Sequence, residues 1–453
     1  MTDLDCSCLS NTSNHQSVAF HNFSCYFWFH QMRYLRNATP YTVFPFLLVL
    51  LLAIILAPII YNQPLRRVSS ILGQIPRLGT KAVKNSVSAS TKFDSYTNSD
   101  MAFEKELQVA QLAVARASIL TKAVFAEKAK GTISKEDKSP VTIGDYGAQA
   151  LIISAIKHNF PQDEVVGEEE ASSLREQKDL SSKIWDLVKN TKLSDADSDA
   201  ILGGPIQSED DMLKAIDAGN STGGNKGRIW ALDPIDGTKG FLRGGQYAVC
   251  LALMVDGDVK VGVLGCPNLP VDDSKPLTED MGVAASDKVG YGVLFSAVQG
   301  EGARSQPLTK GPVSQGHPIS VKKISDVSQG VMCESVEAGH SSKGDNAQIA
   351  EKLKITGKPV QMDSQAKYGS VARGAGDIYL RLPVRKDYVE KIWDHAAGDL
   401  IVREAGGQVT DIHGNRLDFS RGRTLTENKG VVATPANIHA EVLKAVGEVL
   451  STR

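Results

Sequence analysis

The chain has 453 residues, which exceeds one ordinary domain, and its composition agrees with a soluble domain joined to a different segment. Its 50 basic and 52 acidic residues give a formal net charge of −2, which excludes the overall basic field that nucleic-acid binding uses. The six cysteines form no C-x-x-C pair and show no metal-ligand spacing, so they predict no structural metal site.

Residues 1–100 differ from the rest, since no acidic residue lies between Asp5 and Asp94. Residues 43–60 form an uncharged, mostly apolar run that is long enough for a transmembrane helix. A basic, Ser-rich stretch follows at 61–93, and by the positive-inside rule its side of the membrane is cytoplasmic. The sequence therefore predicts a single-pass membrane anchor at 43–60, with the following domain in the cytoplasm.

Two other locations fit the same N-terminal extension. Residues 65–92 are rich in serine and basic side chains and contain no acid, as is typical of mitochondrial transit peptides. Translation from Met101 would instead yield a cytosolic product without the extension.

From Met101 onward, the pattern predicts an α+β domain in two halves, an N-terminal subdomain (101–315) and a C-terminal subdomain (316–453). Helices are predicted at 102–128, 146–158, 208–217, 395–405 and 436–450. Strands are predicted at 228–232, 247–255 and 259–265, the last two joined by a hairpin turn at Asp256-Gly257. Residues 268–318 are interpreted as loop-rich.

The run WALDPIDGT, which begins at residue 230, ends an apolar stretch with two carboxylates, Asp233 and Asp236. Pro234 restricts the backbone and Gly237 allows a sharp turn, so both aspartates are expected at a strand end. Such a group of oxygen ligands suits a hard divalent cation. An aspartate-stabilised turn after the strand is the structural alternative.

Two further acidic sites share this character. An apolar stretch ends at Glu168, Glu169 and Glu170, and Asp394 lies where a helix is expected to begin. A solvated face for Glu169 and Glu170, and a helix N-cap for Asp394, are the structural alternatives. If they converge, four carboxylates could hold two or three Mg²⁺ ions, which bind phosphate oxygens and generate a nucleophilic water: Glu168, Asp233, Asp236 and Asp394.

Three motifs, in this order, resemble those of the Mg²⁺-dependent, lithium-sensitive phosphatases related to inositol monophosphatase. They are Gly-Glu-Glu at 167–169, Asp-Pro-Ile-Asp-Gly-Thr at 233–238 and Trp-Asp-His-Ala-Ala-Gly at 393–398. The resemblance runs from about Met101 to the C-terminus. It implies a layered α/β/α/β/α fold, two or three Mg²⁺ ions and sensitivity to lithium.

Within this superfamily, four segments are most similar to the 3′(2′),5′-bisphosphate nucleotidases: 138–146, 339–342, 362–368 and 379–383. The resemblance implies hydrolysis of 3′-phosphoadenosine 5′-phosphate to AMP and phosphate in sulfur assimilation and nucleotide turnover, with 3′-phosphoadenylyl sulfate as a further substrate. The implied partner is a small nucleotide and not a nucleic acid, and a monomer is compatible with the sequence. An inositol phosphate phosphatase and an inactive, membrane-tethered nucleotide-binding protein are the alternatives.

The resemblance also implies the metal ligands. Glu168, Asp233 and the carbonyl group of Ile235 would hold one ion. Asp233, Asp236 and Asp394 would hold a second ion near the leaving oxygen.

Asp145 and Thr238 would form the pair that takes the proton from the attacking water, again by resemblance. A hydroxyl can accept from water only if its own proton goes to an acceptor, and a carboxylate provides one. Without the resemblance, Asp145 is interpreted as the N-cap of the helix that follows.

The resemblance implies that six residues would bind the substrate, two of which also have the roles given above: Thr238, His340, Ser364, Lys367, Arg381 and Asp394. Lysine and arginine suit phosphate, arginine through its bidentate fork. A polar surface position for His340 and solvated charges at Lys367 and Arg381 are the structural alternatives.

Overall fold

The computed structural model describes residues 102–127, 132–134, 140–272, 277, 290–311, 313–337, 342–385 and 387–452. The N-terminal extension with its predicted anchor at 43–60, and His340, lie outside these residues. Among the described residues, one helix, Glu104–Ala126, is long and apolar enough to cross a membrane. Its most apolar window is 78% buried inside the protein, which is the behaviour of a core helix.

Both halves of the domain contain helices and strands. The first half contains α1 (Glu104–Glu127), β1 (Thr132–Ser134), β2 (Pro140–Thr142), α2 (Ile143–Asn159), β3 (Glu164–Gly167), α3 (Ser172–Glu176), α4 (Lys178–Asn190), α5 (Ala196–Ile201), α6 (Glu209–Asp217), β4 (Arg228–Asp236), α7 (Thr238–Arg243), β5 (Ala248–Val255), β6 (Asp258–Pro270), β7 (Tyr291–Val298), β8 (Ala303–Pro307) and β9 (His317–Ile319). The second half contains β10 (Met332–Glu334), α8 (Lys343–Lys352), β11 (Val360–Gln361), α9 (Ala366–Ala372), β12 (Ile378–Arg381), α10 (Ala396–Glu404), β13 (Gly407–Thr410), β14 (Val431–Pro435) and α11 (His439–Leu450), with 3₁₀ turns at Val327–Gln329, Ile392–Asp394 and Phe419–Arg421.

Two sheets organise the domain. The first has the strand order β3-β4-β5-β6-β7-β8-β9, in which β3 and β4 are parallel and the other neighbours are antiparallel. The second has the order β11-β10-β12-β14-β13, in which β11, β10 and β12 are parallel. Because β3 and β4 run in the same direction, their carboxyl ends lie at the same edge of the first sheet.

Alternation along β4 decides which way its residues face. Ile229 and Ala231 join the core that includes α10, whereas Trp230 and Leu232 join the core that includes α1 and α2. Side chains of a strand point alternately to opposite faces. By this parity Asp233 belongs to the face that α10 covers.

Packing around the sheets produces five layers. Helices α1 and α2 cover one face of the first sheet, and α9 and α10 share a core with residues of both sheets. Helices α8 and α11 cover the outer face of the second sheet. This arrangement agrees with the layered α/β/α/β/α fold that the resemblance implied.

The helix predicted at 208–217 and the hairpin at Asp256-Gly257 are confirmed, the two turn residues having φ of 51° and 82°. The loop-rich interpretation of 268–318 is wrong, because β7 and β8 lie within it and β9 begins there. Strand β7 is buried on both faces and shows no apolar–polar alternation, and glycines lie close to both of its ends. The period-two signal of a half-buried strand is therefore absent from its sequence.

Candidate active site

The end of β4 carries the central acidic pair. The register between β4 and β5 shifts between Asp233 and Asp236, which is a bulge that re-aims the side chains after it. The amide N–H of Ile235 donates to Asp233 Oδ1 over 3.1 Å. The aspartate-stabilised turn therefore exists, and it leaves both carboxylates at the strand end.

Glu168 follows β3 directly, beside the end of β4. Glu169 is buried, and both of its backbone groups bind the side chain of Gln149, at 2.7 Å from the carbonyl oxygen and 3.0 Å from the N–H. A solvated face is thus wrong for Glu169, whereas Glu170 is exposed. The amide of Gln149 fixes the backbone immediately after Glu168.

Asp145 joins this acidic group from the first turn of α2. It is buried, and its carboxylate lies with those of Glu168 and Glu169, one oxygen of each falling within 4.8 Å of the others. The N-cap interpretation is wrong, because α2 begins at Ile143, before Asp145. Its carboxylate instead extends the acidic cluster.

Thr238 is the first residue of α7, directly after the turn at Gly237. Its hydroxyl donates to the carbonyl oxygen of Ile235 over 3.2 Å. In this geometry the proton of the hydroxyl is directed to the backbone oxygen that the resemblance implied as a metal ligand. The oxygen of the hydroxyl keeps lone pairs with which it can accept from water.

Asp394 ends the 3₁₀ turn that precedes α10, and His395 occupies the N-cap position of α10. The N-cap interpretation of Asp394 is therefore wrong. Arg381 lies next to the aspartate, with Nη2 3.5 Å from Asp394 Oδ2. The 3₁₀ turn thus places the carboxylate of Asp394 beside the guanidinium group of Arg381.

Burial and mutual repulsion dominate the electrostatics of these carboxylates. Burial raises the pKa of Asp233, and the charges of Glu168, Asp236, Asp394 and Asp145 raise it further. Burial also raises the pKa of Asp236 to about 6 and that of Asp394 to about 7, even though Arg381 acts in the opposite direction on both. A divalent cation would relieve this repulsion, and an all-oxygen donor set is what a hard cation prefers.

Lys367 is buried at 2% exposure, so the interpretation as a solvated charge is wrong. Its ammonium group donates to the carbonyl oxygens of Ser364 at 2.9 Å and Met362 at 3.3 Å. Burial lowers the pKa of Lys367 to about 8, while Asp236 and Asp363 act in the opposite direction. A buried cation thus lies close enough to Asp236 to act on it.

Arg381 is also buried, and the solvated-charge alternative is wrong here too. Its Nε lies 2.7 Å from Glu390 Oε2, which in turn lies 3.2 Å from Nε2 of the fully buried His395. Burial alone would raise the pKa of Glu390, but Arg381 and His395 hold it at about 2. The ring of His395 also bonds the hydroxyl of Tyr368 over 2.8 Å.

Glu390, His395, Gln149 and Gln365 are absent from the set predicted from sequence. Glu390 and His395 lie within five residues of Asp394, so a search for ion-pair partners around each proposed ligand would have found them. The glutamines carry no charge and occupy no recognised motif position, and only the folded geometry identifies them.

Comparison with known proteins adds independent findings. Residues 102–451 match a protein-family model that is described as "Inositol monophosphatase family". The chain is 66% identical over 350 residues to the 3′(2′),5′-bisphosphate nucleotidase of Emericella nidulans, with 77% of this chain and 99% of that protein covered. It is 46% identical over 356 residues to the enzyme of the same name from Schizosaccharomyces pombe, covering 78% of this chain and 97% of the other.

A solved structure with a similar fold is an IMPase from Thermotoga maritima. It is 20% identical, with a TM-score of 0.49, and the match covers 77% of this chain and 98% of that one.

Proposed function

This chain belongs to the inositol monophosphatase family, and from that premise we propose that it is a metal-dependent phosphatase acting as a 3′(2′),5′-bisphosphate nucleotidase. The substrate is 3′-phosphoadenosine 5′-phosphate, hydrolysed to AMP and phosphate, with 3′-phosphoadenylyl sulfate as a further substrate. The relatives named above support the substrate class. The structural observation that carries the proposal is the meeting of an acidic cluster around Asp233 with the buried cations Lys367 and Arg381.

The proposed cofactor is Mg²⁺, in two or three ions. Its ligands would be oxygens of five residues: Glu168, Asp233, Ile235, Asp236 and Asp394. When bound, it would neutralise the charge of the phosphate and lower the pKa of the attacking water. The lithium sensitivity implied by the resemblance stays a prediction.

The chain's own residues have the remaining roles in this proposal. Asp145 and Thr238 take the proton of the attacking water: the hydroxyl of Thr238, once turned from the carbonyl oxygen of Ile235, accepts that proton and passes its own to the buried carboxylate of Asp145. Arg381 and Lys367 attract the phosphate of the substrate. Ser364, together with His340 outside the described residues, is proposed to bind the nucleotide.

Substrate preference is the direct test of this function. We expect the full chain, with Mg²⁺, to release phosphate from 3′-phosphoadenosine 5′-phosphate with a kcat/KM at least about tenfold above that for inositol 1,4-bisphosphate or inositol 1-phosphate, because such a ratio needs only about 1.4 kcal/mol of differential binding. Preference for an inositol phosphate would keep the metal site and overturn the nucleotide roles. No release from any of the three would instead favour a nucleotide-binding protein without activity.

The raised pKa values lead to a second expectation. The pKa of Asp236 is about 6 and that of Asp394 about 7, whereas an aspartate in an unfolded chain has a pKa of roughly 3.9. The folded, metal-free protein therefore holds these two protons more tightly than the unfolded chain. The stability of the metal-free protein therefore falls as the pH rises from about 4 through 7. Mg²⁺ binds the deprotonated carboxylates, so its affinity rises over the same range.

We accordingly expect a fixed Mg²⁺ concentration to raise Tm about twofold more at pH 8 than at pH 6, as measured by differential scanning fluorimetry. Asp394→Asn should remove most of this pH dependence, because the pKa of Asp394, at about 7, lies in the middle of this interval. Asp186→Asn, which changes an exposed carboxylate on α4, is the matched control and should leave it intact. An equal Tm rise at both pH values would contradict the assignment of these carboxylates as ligands.

We also propose that residues 43–60 anchor the protein in a membrane with the phosphatase domain on the cytoplasmic side. The support is the apolar run with basic residues after it, and the family match begins only at residue 102. A mitochondrial address, or a cytosolic product starting at Met101, remains the alternative.

A further inference from the structure

A tight turn at residues 362–367 lies against the end of β4. Ser364 has a φ of +70°, a left-handed conformation that is uncommon for a residue other than glycine. The side chain of Lys367 binds the carbonyl oxygens of Met362 and Ser364 and so holds the turn in this shape. Gly237 allows the close approach, since a Cβ added there would lie 3.1 Å from Cβ of Ser364. The turn is therefore held against the residue that follows Asp236.

Gln365 is the residue that this turn presents to the acidic cluster. Its backbone N–H donates to Asp236 Oδ2 over 2.5 Å. Its side chain reaches the other carboxylate-bearing segment, where Nε2 donates to the carbonyl oxygen of Trp393 over 2.7 Å and Oε1 accepts from the N–H of Gly398 over 2.9 Å. The side chain is buried at 1% exposure, so water does not compete for these bonds.

The three bonds of Gln365 form one connection between separate parts of the chain. Asp236 ends β4 in the first sheet, whereas Trp393 and Gly398 bracket Asp394 and the first turn of α10. The first N–H groups of a helix have no partner within the helix, and the amide oxygen supplies one for Gly398. Only one orientation of the Gln365 amide satisfies both partners, because the carbonyl group of Trp393 can only accept a hydrogen bond and the N–H group of Gly398 can only donate one.

We propose that Gln365 is a positioning residue that couples Asp236 to Asp394 and sets the distance between them for the binding of Mg²⁺. This inference rests on the metal site of the proposed function. Residues that orient metal ligands without touching the metal commonly change metal affinity about 10- to 100-fold when replaced. Replacing Gln365 should therefore weaken Mg²⁺ binding, and the side-chain bonds that it removes go to the backbone of Trp393 and Gly398, not to Asp145 or Thr238.

The test uses Gln365→Met in the full chain, because methionine keeps the length of the side chain and removes both amide bonds. We expect calorimetry without substrate to give a Kd for Mg²⁺ raised at least about tenfold. The Mg²⁺ concentration for half-maximal phosphate release should rise by a similar factor, with KM for the nucleotide at saturating Mg²⁺ within about threefold of the unsubstituted chain.

Gln111→Met is the matched control. Gln111 is also buried and also donates through its amide, to the hydroxyl of Ser296 over 3.0 Å, but it lies on α1 and contacts none of the acidic residues in the described interactions. It should lower Tm and leave the Kd for Mg²⁺ unchanged. If Gln365→Met does not fold, Gln365→Glu retains the acceptor for Gly398 and loses the donor to Trp393, and it should shift the Kd in the same direction.

A Kd for Mg²⁺ within about twofold of the unsubstituted value in a folded Gln365 variant would overturn the proposal. An equal loss of Mg²⁺ affinity in Gln111→Met would overturn it as well, since the effect would then be one of general stability. Calorimetry needs no substrate, so it tests this inference separately from the proposed function. If the unsubstituted chain bound Mg²⁺ but did not hydrolyse the nucleotide, the proposed function would be rejected, and the Kd for Mg²⁺ of the Gln365 variants would still decide this inference.

Discussion

Asp145→Asn is expected to lower kcat for nucleotide hydrolysis about 10²- to 10⁴-fold, the range typical of losing a general base. Asparagine has the shape of aspartate but cannot receive the proton of the attacking water through Thr238. The carboxylate is buried and lies with those of Glu168 and Glu169. The measurement is steady-state phosphate release at saturating Mg²⁺ and substrate.

Binding should survive the same substitution. Asp145 is one of the carboxylates that, after burial, raise the pKa of Asp233, so its removal lessens repulsion in the metal-free cluster. The metal-free variant should therefore unfold at a Tm equal to or above that of the unsubstituted chain, and calorimetry should still detect Mg²⁺-dependent binding of AMP. A turnover that stays unchanged would eliminate Asp145 as the base.

Asp377→Asn serves as the matched control for this experiment. Asp377 is equally buried and accepts a hydrogen bond from the N–H of Val331 over 2.8 Å, at the opposite end of β12 from Arg381. Its replacement should lower Tm and leave kcat unchanged. If Asp377→Asn reduced kcat as strongly as Asp145→Asn, the loss would reflect general damage to the fold and not the removal of a base.

Much of the metal site could be predicted from local sequence because its residues occupy the ends of regular elements. The run WALDPIDGT combines an apolar strand with a following glycine, and although β4 continues through Pro234 to Asp236 instead of ending at residue 232, the pattern places both aspartates near the strand end. The apolar stretch before Glu168 is too short to have been predicted as a strand, although it forms the four-residue β3. That the two strands are parallel neighbours, which brings the carboxylates together, is a property of the topology and required the structure.

The rest of the site depends on contacts between segments distant in sequence. Apart from the resemblance, Lys367 and Arg381 look like ordinary exposed charges in the sequence, and their burial against carbonyl oxygens and Glu390 shows otherwise. The backbone N–H of Gln365 binds Asp236, which lies 129 positions earlier in the chain. Its side-chain amide, which no sequence pattern singles out, binds Trp393 and Gly398, which lie 28 and 33 positions later. Local periodicity carries no information about such contacts, which is why the fold was easier to predict than the interactions that hold the site.

Arg381→Met is expected to destabilise the protein by about 3–5 kcal/mol, the usual cost of removing one partner from a buried ion pair. Arg381 lies 2.7 Å from Glu390 and 3.5 Å from Asp394, and its loss leaves the buried Glu390 and the partly buried Asp394 without this cation. The free energy of unfolding from urea titrations of the metal-free protein measures the effect. Activity should fall as well, because the proposed phosphate-binding cation is gone.

The double variant Arg381→Met/Glu390→Met separates these two consequences. Replacing both members of a buried pair by apolar residues of similar volume is often neutral or stabilising, so the double variant should recover most of the lost stability. Since it restores no cation beside Asp394, its kcat/KM should stay as low as that of Arg381→Met. Recovery of activity together with stability would show that Arg381 only supports the fold. An exposed ion pair contributes at most about 1 kcal/mol to stability. If Arg381→Met changed the free energy of unfolding by no more than that, the Arg381–Glu390 pair would be more solvated than the 9% exposure of Arg381 implies.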